Sequence, residues 1–374
     1  MRRIFPDVRG LARFGRQLHS AAWRRARWAA GSPGVTDPRS KRWGGIRGSY
    51  HRLRYALAVR FGSRESAREA ICAAARITPD DDHLQYALSV YAVSEAEREQ
   101  AMSRALAIRS RRLPPTLAQG LAAVRANPPS ASYPAASAWA WRNLAPPQMS
   151  HGEWRRRAHF GWASNLLIWD WANCARDRLA ELDALIISPD AQVERLLRSQ
   201  NRGVLLVHAH VGVLPASPHY LRSLRPRVRI LAAVPPTRVT DTLDFYIDST
   251  LPLSLRQVLR DLDRGISIAL FPDSRRGIHF AETALPGGAG LRVAQWIPRL
   301  IWRHGVRYLY CFPLWEGERI RMVFELDTCR PEQGEPYEEW ESRFVHHYRA
   351  RVLAALQSAP ENLRLTGGFW EQFA

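Results

Sequence analysis

The chain has 374 residues, of which 46% are hydrophobic, so it can bury a large core in one or two domains. No run of 18 or more apolar residues occurs, which argues against a membrane-spanning helix. The formal net charge is +19, and Lys41 is the only lysine. A positive field of this size favours phosphate-bearing partners. The arginines form no compact block, and no zinc-finger or RNA-binding signature occurs, so a specific nucleic-acid partner is not expected.

Residues 1–45 are predicted to form a basic arm and linker. Their start lacks a continuous apolar segment, so a secretory signal is not expected. Apolar residues recur between arginines at helical spacing, namely Ile4, Val8, Leu11, Phe14 and Leu18. The pattern fits either a segment lying on an anionic membrane surface or an ordinary amphipathic or disordered arm.

The four cysteines are scattered and show no CxxC pairing; they are Cys72, Cys174, Cys311 and Cys329. This usage predicts a reducing cytoplasm, with no disulfide framework and no metal cluster. No cofactor is expected either.

The domain organisation follows from changes in pattern along the chain. Residues 46–126 have apolar residues three and four apart and are predicted to be a helical extension. Residues 127–149 are rich in Pro, Ala and Ser and are predicted to be a linker into a domain at 150–374. That domain begins with a predicted long helix over 150–181. Its many aromatic residues indicate burial on more than one side or a membrane-facing patch.

From residue 200 onwards, short apolar strands alternate with helices. The pattern predicts strands over 203–209, 228–234, 266–271, 308–315 and 319–326, and helices over 253–265, 291–305 and 335–357. The last two strands are expected to form a hairpin. The predicted fold class is α/β, with a mostly parallel central sheet flanked by helices and an N-terminal helical extension.

Polar clusters follow two of these strands. "HAHVG" ends the first strand, and "FPDSRRG" (271–277) ends the strand over 266–271. In open α/β sheets, ligands bind beyond the carboxyl ends of the strands. Two adjacent strand ends would therefore converge on one crevice.

His208 and His210 share a face of an extended segment, and three interpretations compete for them. A satisfied structural imidazole is favoured for His208. A metal pair would need more ligands, and only His219 is near in sequence. His210 lies beyond the strand and is a candidate general base, since imidazole titrates near neutrality. Such a base usually has a carboxylate that fixes its tautomer.

The second cluster offers groups that bind anions. Asp273 and Ser274 bring acceptors and turn chemistry, and Arg275 and Arg276 bring bidentate binding of phosphate or carboxylate. A solvated turn is the alternative for the arginines. The glycine loop at 282–290 is predicted to run into a helix, where backbone amides would approach an anion. Its spacing is not that of a nucleotide-binding motif.

Five segments occur in an order that resembles a known family: "RGVLLVHAHVGVLP", "ALFPDSRRG", "LPGGAGLRVAQWIPR", "YLYCFPLWEGERIRMVFEL" and "SAPENLRLTGGFWEQF". Over about residues 150–370 the chain resembles the bacterial lipid A biosynthesis (lauroyl/myristoyl) acyltransferases of the lysophospholipid acyltransferase-like superfamily. The resemblance implies transfer of a fatty acyl group from an acyl-carrier-protein or coenzyme A thioester to a hydroxyl or amine. It also implies a cytoplasmic protein at the periphery of the inner membrane.

The family carries a His-x4-Asp/Glu motif, in which the histidine is the base and the carboxylate orients it. His210 matches the motif histidine, and Asp273 and Arg275 match polar positions of a later motif that binds the acceptor's phosphate. Pro215 stands where the family has the carboxylate, although proline suits the first turn of a helix.

Two consequences of Pro215 are open. Another carboxylate substitutes, with Asp273 the best placed and Asp241 and Asp244 less so, or the fold binds an acyl group without transferring it. The leading hypothesis is an acyltransferase with His210 as base and Arg275 and Arg276 as an anion clamp. Its basic surface would dock an acidic carrier protein or an anionic membrane. The alternative is a non-catalytic binding or scaffold protein of a lipid or natural-product pathway.

Overall fold

The computed structural model describes most of the chain from residue 64 onwards. The described ranges are 64–130, 133–189, 191–199, 201–232, 245–249, 253–273, 279–326 and 329–373. The predicted basic arm over 1–45 lies outside them. The chain divides into two compact units between Arg112 and Leu113, and each is described by itself.

The first unit contains three described helices, α1 (Arg64–Ile77), α2 (Asp82–Tyr91) and α3 (Glu95–Ser110). Helix α3 begins where the Ser94 hydroxyl accepts a hydrogen bond from the backbone of Glu97, the usual arrangement at a helix N-cap. The carboxylate of Asp82 binds Arg109 Nε and Arg112 Nη1, both at 2.7 Å. These two ion pairs tie the start of α2 to the end of α3.

The second unit opens with helices α4 (Leu117–Ala126), α5 (Pro134–Leu144) and α6 (His151–Cys174). Helix α5 falls within the residues 127–149 that were predicted to be a linker. Its Trp139 is buried, and the indole Nε1 donates to the carbonyl of Pro286 at 3.0 Å. The alanines that suggested a linker instead allow α5 to pack closely, because Ala136 and Ala140 are fully buried.

The second unit is built on a sheet with seven described strands. The strands are β1 (Ile186–Ile187), β2 (Leu205–Val207), β3 (Val228–Ala232), β4 (Tyr246–Asp248), β5 (Ser267–Leu270), β8 (Tyr308–Glu316) and β9 (Arg319–Leu326). Their order in the sheet is β1-β9-β8-β2-β5-β3-β4. All neighbouring strands are parallel except β8 and β9, which form an antiparallel hairpin.

Six further helices among the described residues connect and flank this sheet. They are α7 (Leu179–Leu185), α8 (Ala191–Ser199), α9 (Ala216–Arg222), α10 (Ser254–Asp263), α11 (Trp296–His304) and α12 (Tyr337–Ser358). All three residues of β2 and all four of β5 are buried, as expected for central strands covered on both faces. The α/β fold class, the mostly parallel sheet and the final hairpin are confirmed.

The prediction of one helix over 291–305 is wrong at its start. Residues Gly290–Ala294 form strand β7, which pairs antiparallel with β6 (Phe280–Ala284) in a separate two-stranded sheet. Leu291 and Val293 are buried while Arg292 between them is exposed, and this alternation has the period of a strand. Helix α11 begins only at Trp296. The glycine loop therefore runs into a strand, so no helix N-terminus for an anion follows it.

Helix α6 buries most of its aromatic residues. Trp154, Trp162 and Trp171 are buried, whereas Leu166 and Trp169 are exposed on its surface. Core packing therefore explains most of the aromatic content. Across the described ranges, no helix combines the length and the apolar character that crossing a bilayer requires.

Candidate active site

His210 and Asp273 lie close together because they follow the ends of two neighbouring strands by the same number of residues. Strands β2 and β5 are parallel neighbours, and Val207 at the end of β2 pairs with Leu270 at the end of β5. His210 follows Val207 by three residues, and Asp273 follows Leu270 by three residues. Both side chains therefore leave the same edge of the sheet at the same level.

Both carboxylate oxygens of Asp273 accept hydrogen bonds from His210. Oδ1 lies 2.9 Å from the ring Nδ1, and Oδ2 lies 2.8 Å from the backbone nitrogen. The Asp273 side chain is completely buried, while that of His210 remains 17% exposed. Because an ionised carboxylate only accepts, Nδ1 carries the proton, and Nε2 is left with a free lone pair.

The C-terminal turn, Gly368–Phe373, packs directly on the imidazole. A Cβ at Gly368 would lie 2.3 Å from His210 Nδ1, and the residue has φ +56°, so glycine is required on both grounds. The indole Nε1 of Trp370 donates to the carbonyl of His210 at 2.8 Å. The turn thus contacts both the ring and the backbone of the histidine.

The loop after His210 is held by helix α6 and by the turn before Arg364. Gly212 has φ +63°, and a Cβ there would lie 2.0 Å from the carbonyl of Pro313. Its backbone nitrogen donates to the carbonyl of Asn362 at 2.8 Å. Asn165 on α6 donates to the Gly212 carbonyl at 2.9 Å and accepts from the Leu214 nitrogen at 3.1 Å. The backbone that presents His210 is therefore fixed at both ends.

Tyr348 of helix α12 contacts the backbone two residues before His210. Its hydroxyl donates to the carbonyl of His208 at 3.0 Å. Burial, together with the nearby Asp273 charge, raises the pKa of Tyr348 well above its ordinary value. The phenol therefore stays protonated and remains a donor near the carboxylate.

His208 fits the prediction of a satisfied structural imidazole only in part, because its Nε2 is buried without a hydrogen-bond partner. It is fully buried, and its Nδ1 lies 3.5 Å from the hydroxyl of Ser217. Burial lowers the pKa of His208 to about 3, so the ring is neutral at physiological pH. His219 instead binds Asp183 at 2.6 Å. Within the described ranges, no group of three or more residues has the arrangement of metal ligands.

Pro215 lies directly before helix α9, with φ −63° and ψ −21°. The backbone at this position is thus helical, as the sequence suggested, and Asp273 is the carboxylate that contacts His210. The other predicted site residues, Ser274, Arg275 and Arg276, lie outside the described residues. So do Asp241 and Asp244, the less favoured carboxylates.

Sequence reasoning missed four residues around the histidine: Tyr348, Arg364, Gly368 and Trp370. They lie more than 130 positions after His210, and no local pattern links them to it. The Gly-Gly pair at 367–368 was the one available signal, because two adjacent glycines before aromatic residues suggest a close backbone approach.

A cavity of about 290 Å³ lies at the opposite edge of the sheet, at the start of β8, where Trp302, Arg307, Tyr308 and Arg330 are among its lining residues. Since β8 is parallel to β2, this cavity is at the amino end of the strands and not beside His210. It belongs to a different face of the fold from the histidine–aspartate pair.

The fold and site together define an α/β protein with a buried carboxylate–histidine pair at the carboxyl edge of its sheet. No protein-family model matches the chain. The chain is similar to the Vi polysaccharide export protein VexE of Salmonella typhi, with 26% identity over 333 residues. The similarity covers 86% of this chain and 50% of that protein, so the chain spans about half the length of this relative.

Proposed function

We propose that the protein transfers a fatty acyl group from an acyl-carrier-protein or coenzyme A thioester to a hydroxyl or amine. The observation that carries the proposal is the buried Asp273 carboxylate, 2.9 Å from Nδ1 of a partly exposed histidine at the sheet edge where ligands bind. The resemblance of the sequence to lipid A biosynthesis acyltransferases supports the same reaction.

The proposed chemistry uses the free nitrogen of His210. Nε2 takes the proton from the acceptor O–H or N–H as the acceptor's oxygen or nitrogen bonds to the thioester carbonyl carbon. Asp273 stabilises the imidazolium that forms. The tetrahedral intermediate then expels the thiolate, which takes the proton from His210 and leaves as a thiol. The histidine ends the cycle neutral, and no cofactor is consumed.

Charge and surface support the proposed partners. The net charge of +19 favours docking of an acidic carrier protein or an anionic membrane. Leu166 and Trp169 on α6 are 48% and 37% exposed, as suits a contact with the headgroup region. The protein would then act in the cytoplasm at the periphery of the inner membrane.

A second candidate is a non-catalytic role in polysaccharide export. The similarity to a polysaccharide export protein favours it, and so does Pro215 at the position of the family's carboxylate. The same similarity also sharpens the first proposal, since a carbohydrate hydroxyl or amine becomes the acceptor to test first.

The test is a transfer assay with the full chain, long-chain acyl thioesters of carrier protein and of coenzyme A, and carbohydrate or lipid acceptors. Mass spectrometry measures the acylated acceptor. We expect His210→Ala to abolish product while His346→Ala, a change at an exposed histidine of α12, leaves it unchanged. Equal product from His210→Ala and the native chain would refute the role of His210. Thioester binding without product would favour the second candidate.

A further inference from the structure

We propose that Arg364 stabilises the oxyanion that forms on the thioester carbonyl during transfer. The inference rests on the proposed acyl transfer and adds a catalytic residue to it. Arg364 belongs to the segment that also carries Gly367, Gly368 and Trp370, so the C-terminal end of the described chain supplies more than a cover for His210.

The guanidinium of Arg364 and the Cδ2 edge of the His210 ring both border Gly367. A Cβ at Gly367 would be 3.1 Å from Arg364 Nη1 and 3.3 Å from His210 Cδ2, so both side chains approach the same point. Cδ2 is bonded to Nε2, whereas Asp273 occupies the Nδ1 side. Glycine at 367, with φ +72°, leaves the space between imidazole and guanidinium free of a side chain.

Arg364 lacks the partners that comparable arginines have. Its Nε is buried without a hydrogen bond, and in the described part of the chain no acceptor binds its guanidinium. By contrast, Arg157 binds Glu361 at 2.6 Å, and Arg343 binds Glu335 at 2.7 Å. Because buried donors are almost always paired, the unpaired Nε indicates that an acceptor arrives with the substrate.

The charge of Arg364 persists at this site. Burial lowers the pKa of Arg364 to about 10, and the charges of Asp273 and Glu371 oppose the shift, so the group is cationic at neutral pH. It forms an ion pair with neither carboxylate among the ion pairs of the described residues. The side chain is half-buried, and a charge in such surroundings acts more strongly on a nearby oxyanion than it would in water.

The position suits the oxyanion because of where the bond forms. The acceptor oxygen or nitrogen is held at Nε2 and bonds to the carbonyl carbon, whose π electrons move to the carbonyl oxygen. That oxygen is one bond from the carbon under attack, so it lies beside the Nε2 edge that Arg364 faces. When the C–S bond breaks, the electrons return to the C=O bond, and Arg364 is released from the anion.

The test compares Arg364→Gln with Arg303→Gln, a change at an exposed arginine of α11. We expect Arg364→Gln to lower kcat by about 10²- to 10³-fold with the acceptor KM nearly unchanged, as for removal of an oxyanion donor. Arg303→Gln should behave as the native chain. In Arg364→Ala, added guanidinium should restore part of kcat, which a purely structural role would not produce.

Other outcomes would overturn the inference. An unchanged kcat in Arg364→Gln would do so, and so would a raised acceptor KM with normal kcat, because Arg364 would then bind an anionic group of the acceptor. If Arg364→Gln does not fold, Arg364→Met, which is also uncharged and of similar length, provides the same kcat comparison. Transfer that requires His210 but not Arg364 would refute this inference alone, whereas no transfer by the native chain would refute the proposed function.

Discussion

Two histidine–aspartate pairs lie within the described part of the α/β unit, and their surroundings differ. His219 Nε2 is 2.6 Å from Asp183, and His210 Nδ1 is 2.9 Å from Asp273. Asp183 is 68% exposed, whereas Asp273 is completely buried and also binds the backbone nitrogen of His210. His219 has its remaining ring nitrogen buried without a partner, while His210 keeps Nε2 at the ring edge near Arg364.

The comparison shows that distance alone does not define a catalytic pair. Water screens the Asp183 carboxylate, so it contributes little to the orientation or charge of His219. The buried Asp273 has no competing solvent and fixes both the ring and the backbone of its histidine. The free nitrogen must also be reachable, a condition that His210 meets and His219 does not.

The largest expected effect comes from removing the buried charge. Both oxygens of Asp273 now accept hydrogen bonds from His210. In Asp273→Asn the side-chain NH2 group replaces one oxygen and faces one of these donors, so the wrong tautomer of His210 is favoured. By analogy with the serine protease triad, transfer should fall by roughly 10⁴-fold. Asp183→Asn should leave transfer unchanged. Single-turnover rates with each variant measure the difference, and similar rates for the two would remove the distinction between the pairs.

The second prediction uses two glycines with nearly equal backbone angles. Gly368 has φ +56° and its Cβ would meet the His210 ring at 2.3 Å, whereas Gly305 has φ +57° and nothing within 4 Å. Alanine at either position brings the backbone strain of a left-handed residue, of order 1 kcal/mol. Only Gly368→Ala should also displace the imidazole and lower transfer by about 10²-fold.

Thermal unfolding of both glycine variants serves as the control for this comparison. Similar losses of stability with unequal losses of transfer would isolate the contact with His210. If Gly305→Ala lowered transfer as much as Gly368→Ala, the strain itself would be the cause and the turn would have no specific role.

A third prediction concerns the indole that holds the backbone of His210. Trp370→Phe leaves the His210 carbonyl without its donor inside the protein, which should lower the free energy of unfolding by about 1–3 kcal/mol. Trp302→Phe removes a comparable bond, 3.0 Å to the carbonyl of Glu335, but at an exposed side chain where water replaces it. Denaturant titration should show the larger loss for Trp370→Phe. Equal losses would mean that water reaches the His210 carbonyl.

The sequence predicted His210 and Asp273 because both residues directly follow the ends of predicted strands. His210 and Asp273 each follow an apolar run. Because they lie the same number of residues beyond the ends of adjacent parallel strands, the sheet must bring them together. The rest of the site depends on long-range packing of the C-terminal turn, which neither periodicity nor spacing indicates. Strand β7 was missed for a local reason, since its Leu-x-Val alternation was read together with the helix that follows it.

The smallest predicted effect concerns the titration of His208, which is fully buried. Burial holds the pKa of His208 at about 3 when folded, against an ordinary value of 6.5, so the unfolded chain binds a proton that the folded chain refuses. The contribution of this group to stability is therefore complete above pH 6.5 and declines as the pH falls toward 3. Between pH 6.5 and 5.5 this difference in proton binding should lower the free energy of unfolding by about 1 kcal/mol. Denaturant titrations at the two pH values should show an acid-side slope that is shallower by that amount in His208→Gln. Parallel slopes in native protein and His208→Gln would mean that His208 gains a proton without unfolding, and burial would then not keep its ring neutral.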